Sequence, residues 1–170
     1  MDLSSHNRRT SIMNVQRAVL PIALRPALAQ DFDYCWRIYF AEMGWIIDRL
    51  GLNRTVQEVS FDEQWQAPQV HIIMLDGSDV GWLQTITQEA ELFIAQLFVD
   101  HKFQRRGIGT AVMDRLIAEA SRFDQAVRLS VVKINPAVRL YKRLGFQITD
   151  EDDRKFHMKR SPDNAPARKV

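Results

Sequence analysis

A chain of 170 residues with 46% hydrophobic and 26% charged side chains, 7 glycines and 6 prolines has the size and balance of one soluble globular domain, which excludes collagen-like, low-complexity and wholly disordered readings. One cysteine, Cys35, and four scattered histidines offer neither an internal disulfide nor zinc-ligand spacing, so we expect no metal and a reducing, cytoplasmic setting. The formal charge of +2 sits at the ends: residues 1–20 carry +2 and residues 161–170 carry +1, leaving −1 on the body, so the fold offers no basic surface for nucleic acid. No run approaches the ~20 apolar residues of a membrane span, and no membrane partner is expected.

Residues 1–20, rich in Ser and Arg with Asp2 as their one acid, have something of a transit peptide's composition but read as a flexible tail. Ile22 to Leu28 is expected as a short strand. Asp31 then opens an amphipathic helix carrying Phe32, Cys35, Trp36, Tyr39, Phe40 and Met43, which ends near Gly44 or Gly51. A second helix is expected from Asn53 to Gln66, closed by Pro68. From Val70 the period changes to that of strands: Val70 to Leu75, a turn at Asp76-Gly77-Ser78, Val80 to Thr87, then Glu91 to Val99. Residues 108 to 123 have a helical apolar face, and Val127 to Val132 is a buried-looking strand. Asn135 and Pro136 start a last helix that Gly145 stops. Phe146 to Thr149 and Lys155 to Met158 form a final hairpin across an acidic turn, Asp150 to Asp153. The tail 161–170 has too little apolar content to fold. The order β-α-α-β-β-β-α-β-α-β-β describes a single α+β (mixed α/β) domain over residues 21–160, with a central, largely antiparallel sheet flanked by about four helices.

The segment with the most chemical content is Gln104-Arg105-Arg106-Gly107-Ile108-Gly109, which joins a strand to a helix. Amides at a helix start are unpaired and carry partial positive charge. Gly107 and Gly109 remove side chains that would obstruct an anion, and Arg105 and Arg106 add charge. The lysine-serine ending of a Walker loop and the third glycine of a dinucleotide fingerprint are both missing.

This segment resembles motif A of the GCN5-related N-acetyltransferase superfamily, Q/R-x-x-G-x-G/A. Residues Asn135 to Phe146, NPAVRLYKRLGF, resemble the family's second signature, although Asn135 lies two residues before Ala137 where the usual spacing is three. The resemblance covers roughly Ile22 to Lys159. It implies an acyl-CoA N-acyltransferase fold and acetyl-CoA as co-substrate, its pyrophosphate on the amides of Gln104, Arg105, Arg106, Gly107, Ile108, Gly109 and Thr110. It also implies a strand end, Leu97-Phe98-Val99, that splays from its neighbour and pairs with the pantetheine arm, and contacts from Asn135 and Ala137. Tyr141 takes the position of the family's general acid, where a phenol of pKa ~10 can protonate the departing thiolate.

The resemblance implies direct attack by an amine in a ternary complex. Cys35 has no paired histidine for a covalent route. An alkylammonium of pKa ~10.4 must first lose a proton. Glu91, Glu42 and Asp48 are the carboxylates considered as bases, and spacing alone selects none of them. Among the aromatic residues of the first two helices, Trp36, Tyr39, Phe40, Trp45, Phe61 and Trp65, most are expected in the core, with Trp45 and Tyr39 ahead for substrate contact. His71, His101 and His157 are expected to pack or face solvent. The acceptor expected is a small-molecule amine such as a polyamine, amino acid or aminoglycoside. A protein N-terminus or lysine is the alternative, and a non-catalytic acyl-CoA sensor is a reading of another class. A homodimer is compatible with the resemblance.

Overall fold

The computed structural model describes residues 20–162. The expected tails, 1–20 and 161–170, lie outside the described residues except for Leu20, Ser161 and Pro162. The elements are β1 (Ile22–Pro26), α1 (Phe32–Arg49), α2 (Arg54–Gln64), β2 (Val70–Leu75), β3 (Ser78–Thr87), β4 (Glu91–Val99), α3 (Ile108–Arg122), β5 (Ala126–Val132), α4 (Ala137–Arg143), β6 (Gln147–Glu151) and β7 (Lys155–Arg160). The seven strands form one sheet in the order β1-β2-β3-β4-β5-β7-β6. Every pair is antiparallel except β4 and β5, which are parallel with α3 as their crossover.

Several boundaries differ from expectation for local reasons. Of the two ends expected for the first helix, the structure takes the one near Gly51: the helix runs through Gly44 and stops at Arg49, with Gly51 at φ 60° beyond it, because a glycine inside a packed helix costs only about 1 kcal/mol. Asn53 caps the second helix, its side chain accepting from Val56 N at 3.1 Å. That helix ends at Gln64, short of Pro68, which sits in a single 3-10 turn. Asp150 and Glu151 belong to β6, so the acidic turn shrinks to Asp152 and Asp153 with Arg154. Asp152 holds it by accepting from the amides of Arg154 and Lys155, both at 2.7 Å.

The sheet buries a cluster on each face. On one face Leu92, Ile94, Val127 and Leu129 of the sheet cluster with Val112, Met113 and Leu116 of α3 and Tyr141 of α4. Against α1 and α2 lies a largely aromatic cluster with Phe40, Phe61 and Trp82, joined by Tyr39 and Phe98. Arg25 fixes the entry to α1: its guanidinium forks onto Asp31 at 2.8 and 3.0 Å and also reaches Asp79 of β3 at 2.8 Å. These contacts hold the Asp31 carboxyl below the usual carboxylate range.

One irregularity in β4 shapes the middle of the sheet. Gln84 pairs with Gln96 but Thr85 pairs with Ile94, so Ala95 is a surplus residue, a β-bulge. The bulge shifts the phase of the strand. Leu92 and Ile94 before it, and Leu97 and Val99 after it, all face α3 and α4, while Phe98 faces the aromatic cluster. Past the same point β4 leaves β5, and their parallel pairing ends at Ile94 opposite Leu129.

Candidate active site

The divergence of β4 and β5 opens a cleft of about 1040 Å³, just above the ~300–1,000 Å³ usual for small-molecule sites. It passes through the sheet. Tyr39, Glu42 and Trp45 line it from the α1 face, and Thr110, Leu140 and Tyr141 from the α3 and α4 face.

The backbone of β4 presents hydrogen-bonding groups into this gap. Asp100 N donates to Val80 O at 2.8 Å, which makes 80/100 a hydrogen-bonded pair. Counting along the antiparallel register, Trp82/Phe98 and Gln84/Gln96 are bonded pairs, whereas Leu97 and Val99 turn their N–H and C=O groups away from β3 and toward the cleft. Gly81, opposite Val99, permits the close approach of β3, because a Cβ there would collide with Phe98 O.

At one end of the cleft the loop 104–107 turns into α3. Gly107, at φ 82°, takes the left-handed conformation that the turn requires, and Arg105 adopts φ 61°. The first donor of the helix with a backbone partner is Ala111, 3.0 Å from Gly107 O, so the amides of Ile108, Gly109 and Thr110 are the open donors of its first turn. A Cβ on Gly109 would point toward Leu140 at 3.8 Å. These amides and the Arg105 side chain line the cleft and can hold a diphosphate. The guanidinium of Arg106 instead stacks over the Phe103 ring at 5.5 Å, which places its charge beside the cradle and not within the lining.

Gln104 has a role that its place in the motif does not disclose. Its amide donates to Val99 O at 2.9 Å and to Glu42 Oε2 at 2.7 Å, tying the end of β4 to α1 and fixing the carboxylate on the cleft wall. Asn135 uses its side-chain oxygen to accept from Ala137 N at 2.9 Å, across Pro136, which is the N-cap of α4 and not its first residue, so that oxygen is engaged in the turn that leads into the helix. Ala137 lines the cleft beside it.

Tyr141 is 8% exposed, with its ring 5.9 Å from that of Phe146. The hydroxyl has no hydrogen-bond partner among the described residues, and the residue borders the cleft. Burial pushes the phenol up to about 12, so it stays protonated across the neutral range.

On the opposite wall Trp45 is 50% exposed and lines the cleft with Tyr39. Phe40 and Phe61 are buried core, and Trp36 and Trp65 pack against them. Glu91 is not in the site. It lies at the closed end of β4, opposite Ala126, where Lys159 at 2.8 Å and Arg128 at 2.9 Å hold its carboxyl below the usual range. Asp48, the third carboxylate considered, is exposed on α1 outside the lining. Cys35 is fully buried and its thiol is pushed up to about 12 by desolvation, which leaves no thiolate for chemistry. Among the described residues no group of three His, Cys, Asp or Glu side chains could hold a metal ion, and no helix is long and apolar enough to cross a membrane.

Sequence reasoning set His157 aside. In the structure its Nδ1 lies 2.8 Å from Ser130 Oγ, and Ser130 lines the cleft. The two residues are 27 positions apart and meet through strand register, which no local motif announces.

A mixed α/β domain whose sheet splits over a glycine-turned helix start has known counterparts. PaiA N-acetyltransferase of Thermoplasma acidophilum, solved in complex with coenzyme A, superposes with a TM-score of 0.66 at 15% identity, over 82% of this chain and 98% of that one. Naa50 of Arabidopsis thaliana, in complex with the bisubstrate analogue CoA-Ac-MVNAL, gives 0.59 at 16% identity over 82% and 98%. Residues 66–148 match the family model described as an acetyltransferase (GNAT) domain. An uncharacterised N-acetyltransferase of Methanocaldococcus jannaschii is 39% identical over 71 residues, which span 41% of this chain and 31% of that relative's length. Residues 66–148 thus carry a GNAT acetyltransferase domain match, and the fold around them is that of the N-acetyltransferase neighbours.

Proposed function

We propose that this protein transfers an acetyl group from acetyl-CoA to a primary amine, by direct attack while both substrates are bound. The observation that carries this reading is the juxtaposition of the open α3 amides, the outward-facing backbone of Leu97 and Val99, and the Tyr141 hydroxyl along one cleft. The diphosphate fits the cradle at 104–110, where Gly107 and Gly109 set no side chain in its way. The length of β4 beyond its bulge supplies strand-like donors and acceptors for an extended amide-bearing arm. Acetyl-CoA bound there supplies an acyl group activated as a thioester.

Each residue then has a defined task. The amides of Leu97 and Val99 stabilise negative charge on the acyl oxygen, the setting in which fixed donors contribute most, whereas the Phe98 amide, expected to join them, is spent on β3. Tyr141, protonated and free of other partners, gives its proton to the departing sulfur. Glu42 is the only carboxylate among the described residues lining the cleft, against the bases Arg105, Arg143 and Lys155. One carboxylate matches one ammonium. This favours a singly charged small-molecule amine with an apolar body packed on Tyr39 and Trp45 over a polyamine or aminoglycoside, which would call for several acids.

A polypeptide N-terminus is the second reading, favoured by the peptide-linked analogue bound to the Naa50 neighbour. Thiol release from acetyl-CoA, followed across monoamines, polyamines and short peptides, separates these. Saturable coenzyme A binding with no release above hydrolysis for every acceptor would instead identify an acyl-CoA sensor.

A further inference from the structure

We propose that Ser130 and His157 form the route by which the acceptor ammonium loses its proton, with Asp152 orienting the imidazole. This rests on the acetyl-transfer reading and adds the base that reading lacks. Ser130 is the first residue of β5 beyond the point where β4 departs, and its side chain lines the cleft. By strand alternation from Leu129 and Val131, which face α3 and α4, it projects on the face shared with Phe98, α1 and Glu42, where the acceptor enters. His157 stands directly opposite it on β7, with Nδ1 2.8 Å from Ser130 Oγ. The other ring nitrogen, Nε2, lies 3.5 Å from Asp152 Oδ2.

With the Nε2 proton directed at the Asp152 carboxylate, Nδ1 is the acceptor and the serine hydroxyl is the donor. The serine oxygen keeps lone pairs free toward the cleft. One N–H bond of the ammonium breaks and its proton passes to Ser130 Oγ as the hydroxyl proton moves to His157 Nδ1. The products are a neutral amine, an unchanged serine and an imidazolium. Asp152 stabilises that imidazolium, and solvent takes the proton, because the His157 side chain is 33% exposed and that of Asp152 54%.

The other charges around the ring are distributed so that none replaces this path. Asp150 stands opposite His157 on β6 and accepts from the amide of Glu151. Arg128 and Lys159, on the same face of β5 and β7, are both paired with Glu91, Lys155 borders the cleft, and Glu42 lies on the far wall bound to Gln104.

The test uses the full chain, acetyl-CoA and two probe amines, phenethylamine and Met-Val amide, with thiol release read from about pH 6 to 10. His157→Gln can still accept from Ser130 and donate to Asp152, but cannot take a proton. It is expected to lower kcat/KM for phenethylamine about 100-fold near neutral pH. The residual rate should climb about tenfold per pH unit toward the amine's own pKa of ~10, a steeper dependence than that of wild type. Met-Val amide, an α-amine of pKa ~8, should lose less. Ser130→Ala should behave like His157→Gln, and Ser130→Thr, which keeps the hydroxyl, should recover most of the rate. Coenzyme A affinity by calorimetry should be unchanged in all three.

Identical pH profiles for wild type and His157→Gln would overturn the relay, as would a parallel fall in coenzyme A affinity. An acetyl group found on Ser130 by peptide mass spectrometry would also overturn it, by making the serine a nucleophile. Absence of wild-type turnover with both probes, with coenzyme A still bound, would remove the acetyl-transfer reading itself and the relay with it.

Discussion

The two walls of the cleft are built from different materials. On the side of α3 and α4 the contacts offered are backbone amides, held by Gly107 in a left-handed turn and by a helix start, with the Tyr141 phenol reaching in from a buried position. On the side of α1 the contacts are side chains, Tyr39, Glu42 and Trp45, and the carboxylate is held in place by an amide 62 residues away in sequence. A wall of backbone donors recognises a group common to many reactions and tolerates drift in the surrounding side chains. A wall of side chains changes its selectivity with each substitution, so the two should respond to mutation in different measurements.

The largest effect is expected where both walls share a foundation. Gly81→Val places a side chain against the backbone of Phe98 and Val99, forcing β3 and β4 apart. We expect a loss of about 3 kcal/mol in urea-denaturation stability together with loss of coenzyme A binding. Intact stability would mean that β4 is not held as tightly as its register indicates. Gly107→Val addresses the backbone wall alone. A branched residue at φ 82° is strained by about 1–2 kcal/mol and its Cβ meets Leu20 at 3.5 Å, so the turn that aims the α3 amides should distort: the protein should stay folded while coenzyme A affinity falls about 100-fold by calorimetry.

Tyr141→Phe should leave that affinity intact and lower kcat roughly tenfold to 100-fold, the range of one positioned acid. The sign of its pH dependence is definite. A phenol donates only below its pKa, and burial raises this one to about 12, so the wild-type rate should show no phenol-linked decline up to about pH 10, where an exposed phenol of pKa ~10 would be half ionised. The smallest effect is expected from Glu42→Gln, which keeps the shape but removes the charge. KM for a monoamine should rise about tenfold at low salt with kcat less affected, and the increase should shrink as salt screens the attraction.

The same division explains what the sequence could disclose. The turn and helix start of the proposed cradle were legible because their signals are local: two glycines at a strand-to-helix junction, then a tyrosine one helical register beyond Ala137 and Val138. The element order was legible for the same reason, since turn residues such as Asp76-Gly77 and the caps at Asn53 and Gly145 act within a few positions. The phase of Glu91–Val99 was not. In ELFIAQLFV an apolar residue occupies nearly every position, so nothing marks Ala95 as surplus. Nor does anything show that the inward alternation carried by Leu92 and Ile94 before the bulge passes to Leu97 and Val99 after it. Glu91 was misplaced because a carboxylate at a strand start reads the same whether the strand opens or is stitched by Lys159 and Arg128. The contact of His157 with Ser130 was invisible because it is decided by the pairing of β5 with β7, a choice made by the whole sheet.

A fissure that pierces a sheet has two doorways. In the proposed reaction the donor enters by α3 and the acceptor by α1, from opposite ends of the lining, so neither molecule has to pass the other on arrival or departure. The kinetic consequence is freedom of sequence: association in either order, no obligatory first product, and dead-end complexes in which coenzyme A and unreacted amine sit together at high amine concentration. Inhibition by excess acceptor is therefore the behaviour the proposed reaction predicts for this architecture, whatever the identity of the amine.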